Sequence, residues 1–318
     1  MPRPMDASGD LVIRDLPAPL RRTFIDQVLE TAGSFDRESG LLEATEREFG
    51  DLLRPGLWTL LALLRITGRA PVRFLVAVHG KRLVGTTVAV FLPRLIYLAA
   101  VSVQPDFRRQ GIATRLLNRG LEIGARRGVA AGVLDVDADN TPAVTLYQRE
   151  GWNLRRETTW IIAESANVPP PAKESPPFRE ARDEDLEALA DVVHKEVGLP
   201  LPRVVLEPAE VVFQGPTWRS KHLISGAEGK PNLFARLFWK DGLPTAYVSL
   251  WSAPGVRPDV LKAALETQAE TARALGLRRI VADIANPAMV PSLVGGTGGF
   301  RELARTQTRE KPLGQGPG

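Results

Sequence analysis

Val101-Ser102-Val103-Gln104-Pro105-Asp106-Phe107-Arg108-Arg109-Gln110-Gly111-Ile112-Ala113-Thr114 is the stretch on which the reading of this chain turns. An apolar strand runs into Pro105, a polar loop follows, and a helix starts at Gly111. The first amides of a helix have no partners within it, and the helix dipole favours an anion at that end, so a diphosphate can sit there. Gly111 lets a ligand approach the backbone closely, and Ala113 keeps the loop wall small. Arg108 and Arg109 add cationic donors. The same string would also suit a helix that merely needs a glycine start and carries exposed arginines.

Outward from the loop, the periodicity is regular. Residues 111–127 read as an amphipathic helix, with Ala113, Leu116, Leu117, Gly120, Leu121 and Gly124 on one face, and Gly128 stops it. A strand over 133–136 runs into a polar turn through Asn140. A short helix over 141–150 carries Ala143 and Leu146-Tyr147, and Gly151-Trp152 restarts the chain towards a strand over 156–163. Upstream lie strands over 11–13, 73–78, 83–91 and 96–103, with a turn at His79-Gly80-Lys81-Arg82. Helices are predicted over 17–32 and 43–67, the second interrupted at Pro55-Gly56. Its apolar run over 57–64 is far shorter than the roughly 20 residues that span a bilayer. The order implies a mixed sheet covered by helices.

The run Val168-Pro169-Pro170-Pro171-Ala172-Lys173-Glu174-Ser175-Pro176-Pro177 cannot be helix or central strand, and it reads as an extended, stiff linker. It separates a domain over 1–164 from one over 178–318, with 165–177 between them. The second part echoes the first. A short strand over 178–181 leads to a helix over 185–193, strands over 233–239 and 246–251 flank a turn at Lys240-Asp241-Gly242, and a helix over 260–275 precedes a strand over 280–284. Asn286 and Gly299-Phe300 answer Asn140 and Gly151-Trp152. Residues Ala253-Pro254-Gly255-Val256-Arg257-Pro258 stand where the loop would be, and Leu293-Val294-Gly295-Gly296 stands where Tyr147 would be.

The chain has 318 residues, 44% hydrophobic and 25% charged, which fits about two globular domains. A net charge of +4 is spread along it, with no basic stripe interleaved with aromatics, so neither a nucleic-acid nor a membrane partner is expected. There is no cysteine, which excludes disulfides and thiolate chemistry and accords with a cytoplasmic location. His79, His194 and His222 have no ligand-like spacing, so no metal is expected. Residues 1–10 have no apolar core of the kind a signal peptide needs.

Taken together, Val103, Pro105, Arg108-x-x-Gly111-x-Ala113, Asn140, Ala143, Leu146-Tyr147 and Gly151-Trp152 resemble the GNAT superfamily of N-acetyltransferases over residues 10–163. The second part resembles the same fold without its motifs, and the tandem layout is similar to that of mycothiol synthase relatives. The resemblance implies an α/β (α+β) fold of two GNAT-like domains, each a mixed, mostly antiparallel sheet flanked by helices. It implies acetyl-CoA as co-substrate, with its pantetheine arm on the strand at Val101, Ser102 and Val103. The diphosphate would lie on the backbone of Arg108, Arg109, Gln110, Gly111, Ile112, Ala113 and Thr114. Asn140 would contact the arm or an ordered water, and Tyr147 would bind beside the thioester and protonate the leaving sulfur. Candidate proton acceptors are Asp135 and Asp137, on one strand face, and Glu38 and Glu43. The expected activity is acetyl transfer to a primary amine of a small molecule or a peptide, by the first domain of a monomer or homodimer. The competing expectation is a protein that binds acyl-CoA and regulates or scaffolds a partner without turnover.

Overall fold

The computed structural model describes residues 10–16, 21–30, 72–92, 94–173, 175–182, 185, 188, 217–227, 230–253, 255–285, 289–294 and 299–313. The expected helix over 43–67, the carboxylates Glu38 and Glu43, most of the helix expected over 185–193, and Asn286 lie outside these residues. The first half comprises β1 (Leu11–Asp15), α1 (Arg21–Glu30), β2 (Val72–His79), β3 (Arg82–Phe91), β4 (Leu95–Val103), α2 (Ile112–Arg126), β5 (Ala131–Asp137), α3 (Thr141–Arg149) and β6 (Asn153–Glu164). The second comprises β7 (Arg179–Glu180), β8 (Trp218–Ala227), β9 (Lys230–Lys240), β10 (Thr245–Ser252), α4 (Pro258–Ala274), β11 (Arg279–Ile284), α5 (Val290–Leu293) and β12 (Arg301–Pro312). Strands β8 and β12 are not among the sequence expectations. Their apolar residues are too sparse for an alternation to stand out.

The two long helices cover the same face of the sheet. Leu116, Leu117 and Leu121 of α2 pack on Ile96, Leu98, Leu134 and Val136. Burying each such side chain contributes about 1.5–3 kcal/mol. Gly120 lets α2 come close, since a Cβ there would lie 2.6 Å from Leu98 Cδ2. In the second half Leu261, Ala264, Leu265 and Ala269 of α4 pack on Leu237, Val248, Ile280 and Ala282. The opposite face carries α1, whose Phe24 sits against Val76, Val78 and Leu83.

The two halves do not close separate sheets. Their strands form one 12-stranded sheet in the order β1-β2-β3-β4-β5-β12-β6-β11-β10-β9-β8-β7. The last strand of each half is given to the other. Strand β12 pairs with β5, with Thr308 opposite Asp135, and β6 pairs with β11, with Trp160 opposite Asp283. The exchanged strands meet each other in the middle, Thr158 opposite Thr306 and Arg156 opposite Thr308. The burial pattern explains the exchange, because Ile161 and Ala163 of β6 find their cover in the core beneath α4.

The proline-rich run is extended, but its start is held in place. Ser165 Oγ donates to Leu277 O at 2.7 Å, and Arg273 donates to the carbonyls of Ser165 and Val168 at 2.5 and 2.6 Å. Val168 is buried in the second core.

Candidate active site

Strands β4 and β5 run parallel but pair only from Leu95↔Ala131 to Tyr97↔Val133. Beyond that point β4 continues to Val103 and β5 to Asp137 unpaired with each other, so a wedge opens between them. The β3–β4 ladder also slips here, from Thr86↔Ser102 to Val88↔Ala99, and Ala100 is forced to φ 50°. A non-glycine residue in that region costs about 1–2 kcal/mol. The bulge turns backbone groups of β4 out of the ladder at the wall of the wedge. Val101 and Val103 pack towards α2, and Ser102 is buried with a hydroxyl that has no hydrogen-bond partner.

The loop below the wedge is built by two left-handed residues, Arg109 at φ 64° and Gly111 at φ 74°. A Cβ at Gly111 would meet nothing within 4 Å, so glycine is called for by the backbone angle and not by crowding. Gly111 caps α2 without a side-chain bond, and the amides of Gln110, Gly111, Ile112, Ala113 and Thr114 donate to no backbone carbonyl. Ile112 is buried, so it offers the loop only its amide. Arg108 turns back, its Nε donating to Val103 O at 3.1 Å, and braces the end of β4. Arg109 and Gln110 are exposed, and Gln110 Nε2 donates to Asp106 O at 3.3 Å. Thr114 Oγ1 donates to Glu150 Oε1 at 3.3 Å and ties the helix start to the end of α3.

Asn140 is the N-cap of α3, with Oδ1 accepting from the Ala143 amide at 3.3 Å, which leaves its amide nitrogen for other contacts. Tyr147 is 6% exposed in the cluster beneath α2, with its ring centroid 6.3 Å from that of Trp152. Burial pushes its hydroxyl up to about 12.

Because Leu134 and Val136 face α2, Asp135 and Asp137 face the other side of the sheet. The two carboxylates differ in their bonds. Asp137 Oδ1 accepts from the Asp139 amide at 2.9 Å and shapes the turn after β5. Asp135 stands at the wedge, where Tyr97 Oη donates to Oδ2 at 2.8 Å and Thr308 Oγ1 donates to Oδ1. Burial, then the Asp135 charge, holds the Tyr97 hydroxyl well above the ordinary phenol range, so it remains a donor. Neither Tyr97 nor Thr308 is among the residues singled out from sequence. Tyr97 carries the strand alternation that could have marked it, while Thr308 meets Asp135 only through the strand exchange.

The second half repeats the frame without the opening. Tyr247↔Val281 matches Tyr97↔Val133, and Asp283 matches Asp135. Here the parallel pair is closed from Thr245↔Arg279 to Ser249↔Asp283, two pairs further, and the β9–β10 ladder has no slip. Gly299 at φ 74° and buried Phe300 mirror Gly151 at φ 80° and Trp152. Among the described residues no group of His, Cys, Asp or Glu could hold a metal ion, and no helix is long and apolar enough to cross a membrane.

Residues 40–152 match the sequence model described as the Acetyltransferase (GNAT) family. The chain is 36% identical over 56 residues to N-alpha-acetyltransferase 30 of Schizosaccharomyces pombe, covering 18% of this chain and 37% of that protein. It is 37% identical over 84 residues to the mycothiol acetyltransferase of Streptomyces scabiei, covering 26% and 27%. The chain thus spans between about a quarter and little more than a third of the length of these curated relatives. Among solved structures, a tandem GNAT protein from the clavulanic acid biosynthesis pathway superposes with a TM-score of 0.59 at 14% identity, covering 97% of this chain and all of that one.

Proposed function

As a tandem protein of the GNAT acetyltransferase family, this chain, we propose, transfers an acetyl group from acetyl-CoA to a primary amine through its first half alone. One observation carries the reading. An open wedge stands above a row of uncommitted helix-start amides in the first half, and the matching strands of the second half are zipped together. The second half therefore acts as support and not as a second acetyl-CoA site.

The residues suit the co-substrate. Amides from Gln110 to Thr114 would take the diphosphate, with Arg109 above them, and Arg108 would hold the end of β4 in place. The bulged backbone of Val101 to Val103 would carry the pantetheine arm, and the free amide nitrogen of Asn140 would face it. Acetyl-CoA supplies the thioester, and hence both the acetyl group and the thiolate that leaves. Tyr147 holds a proton for that sulfur on the α2 face. With its hydroxyl raised to about 12, it stays protonated at neutral pH and gives up the proton only as the carbon–sulfur bond breaks. Asp135, on the opposite face, receives the proton that the amine sheds, directly or through water. It is favoured over Asp137 because it stands at the wedge with both oxygens oriented by Tyr97 and Thr308, whereas Asp137 lies in the turn after β5.

The acceptor is an amine of a small molecule or peptide, and the reaction belongs in the cytoplasm. Acetyl-CoA mixed with a panel of primary amines should release free thiol. Tight CoA binding without thiol release across the panel would instead support the acyl-CoA-binding regulator.

A further inference from the structure

The strand exchange sets a cation beside the acceptor face. Arg156 lies on β6 directly across from Thr308, so the two side chains share the face on which Asp135 stands. Its guanidinium reaches towards β11, with Nη2 3.9 Å from Asp283 Oδ2. That contact leaves two buried polar atoms unused, since Arg156 Nη1 and Asp283 Oδ1 have no hydrogen-bond partner. Asp283 is 7% exposed, and burial holds its carboxyl above the usual range despite Arg156 and Ser249. Arg236, one strand beyond Ser249, adds a second guanidinium to the same row. A buried guanidinium N–H left unbonded is costly, whereas an anion there would form a charge-assisted bond.

We propose that Arg156 is a specificity residue that binds an anionic group of the acceptor while the acceptor's amine lies at Asp135. The inference rests on the transferase reading above. It narrows the acceptor to an amine that also bears a carboxylate or phosphate. Strands β5 and β6 are two ladder spacings apart, about 10 Å, and the Arg156 side chain leans further away. Allowing about 3 Å for each contact, nitrogen and anion are separated by roughly 5–9 Å. That span exceeds the separation in an α-amino acid and matches a dipeptide, an ω-amino acid or an aminoalkyl phosphate.

The test uses the full chain and matched probes. Glycylglycine and 5-aminopentanoate are each paired with the carboxamide, and 3-aminopropyl phosphate is paired with 3-aminopropanol. Thiol release from acetyl-CoA and direct binding, followed by the fluorescence of Trp160 on the same face, are measured for each pair. The anionic member should have a KM and a Kd roughly ten- to a hundred-fold lower than its neutral twin. Whether carboxylate or phosphate shows the larger ratio identifies the anion. Arg156→Gln should bring the ratio close to one, and Arg156→Lys should restore part of it. Direct titration with acetyl-CoA reports whether each variant is folded. If Arg156→Gln unfolds, Arg156→Gln combined with Asp283→Asn removes the pair as a unit. Equal use of both members of every pair, or a ratio that survives Arg156→Gln, overturns the inference and leaves the transferase reading standing. Selective binding of the anionic probes without thiol release upholds the subsite and removes the transferase reading. Neither binding nor thiol release overturns both.

Discussion

Thr308 donates its hydroxyl to Asp135 across 173 residues of chain, so the carboxylate at the first half's wedge is held by a strand of the second half. The bond, with that from Tyr97, fixes which way the carboxylate points. Thr308→Val keeps the shape and removes the donor. It should lower kcat about tenfold, since hydrogen bonds to charged groups contribute about 1.5–3 kcal/mol, and leave the KM for acetyl-CoA unchanged. Thr308→Ser should recover most of the rate. A purely structural role for Thr308 would show instead as equal losses in the valine and serine variants.

Tyr147→Phe should slow thiol release by about a hundredfold, at the lower end of what a positioned general acid supplies. Binding of CoA, measured by calorimetry, should hardly change, because the ring stays packed near Trp152. An undiminished rate would remove Tyr147 from the mechanism.

Gly111→Ala places a side chain at φ 74° in open space. The cost is conformational, about 1–2 kcal/mol. The loop can relieve it only by turning the amides that the diphosphate needs. The KM for acetyl-CoA should rise several-fold while the acceptor KM stays put, and steady-state kinetics with each substrate varied in turn will separate the two.

His222 is lowered to about 4 by burial, then by the charge of Arg236. Its ordinary value is 6.5, so below that pH the unfolded chain takes up a proton that the folded chain refuses. Stability should therefore be full above pH 6.5 and fall as the pH drops towards 4, by about 2–3 kcal/mol for this group. In urea titrations His222→Gln should flatten that slope. Parallel slopes for both proteins would show that other groups set the acid limit.

The described elements around the motifs were readable because each left a local mark. Leu116, Leu117 and Leu121 repeat at helical spacing, Gly111 and Gly151 sit where φ is positive, and Pro105 ends the ladder. The strand exchange left no such mark. Thr308 is an unremarkable threonine until β12 is placed against β5, and nothing near Arg156 in sequence announces Asp283. The bulge at Ala100 was equally hidden, since alanine carries no preference for the left-handed region and the neighbouring strands impose the angle. The weaker motifs of the second half had a visible counterpart, its proline-flanked loop, but the closed strand pair behind it appears only in the ladder.

The exchange also sets an order of events in synthesis. Strand β5 leaves the ribosome long before β12, and at ordinary elongation rates of about 5–20 residues per second the wait is on the order of ten to thirty seconds. During that interval β5 presents an open edge, the kind of surface on which chains stick to one another. Asp135 gains its Thr308 partner only when the second half arrives. The second half is thus bound to the first by the nascent chain's need for a strand, and changes along β12 and the surfaces that deliver it are felt in the first half.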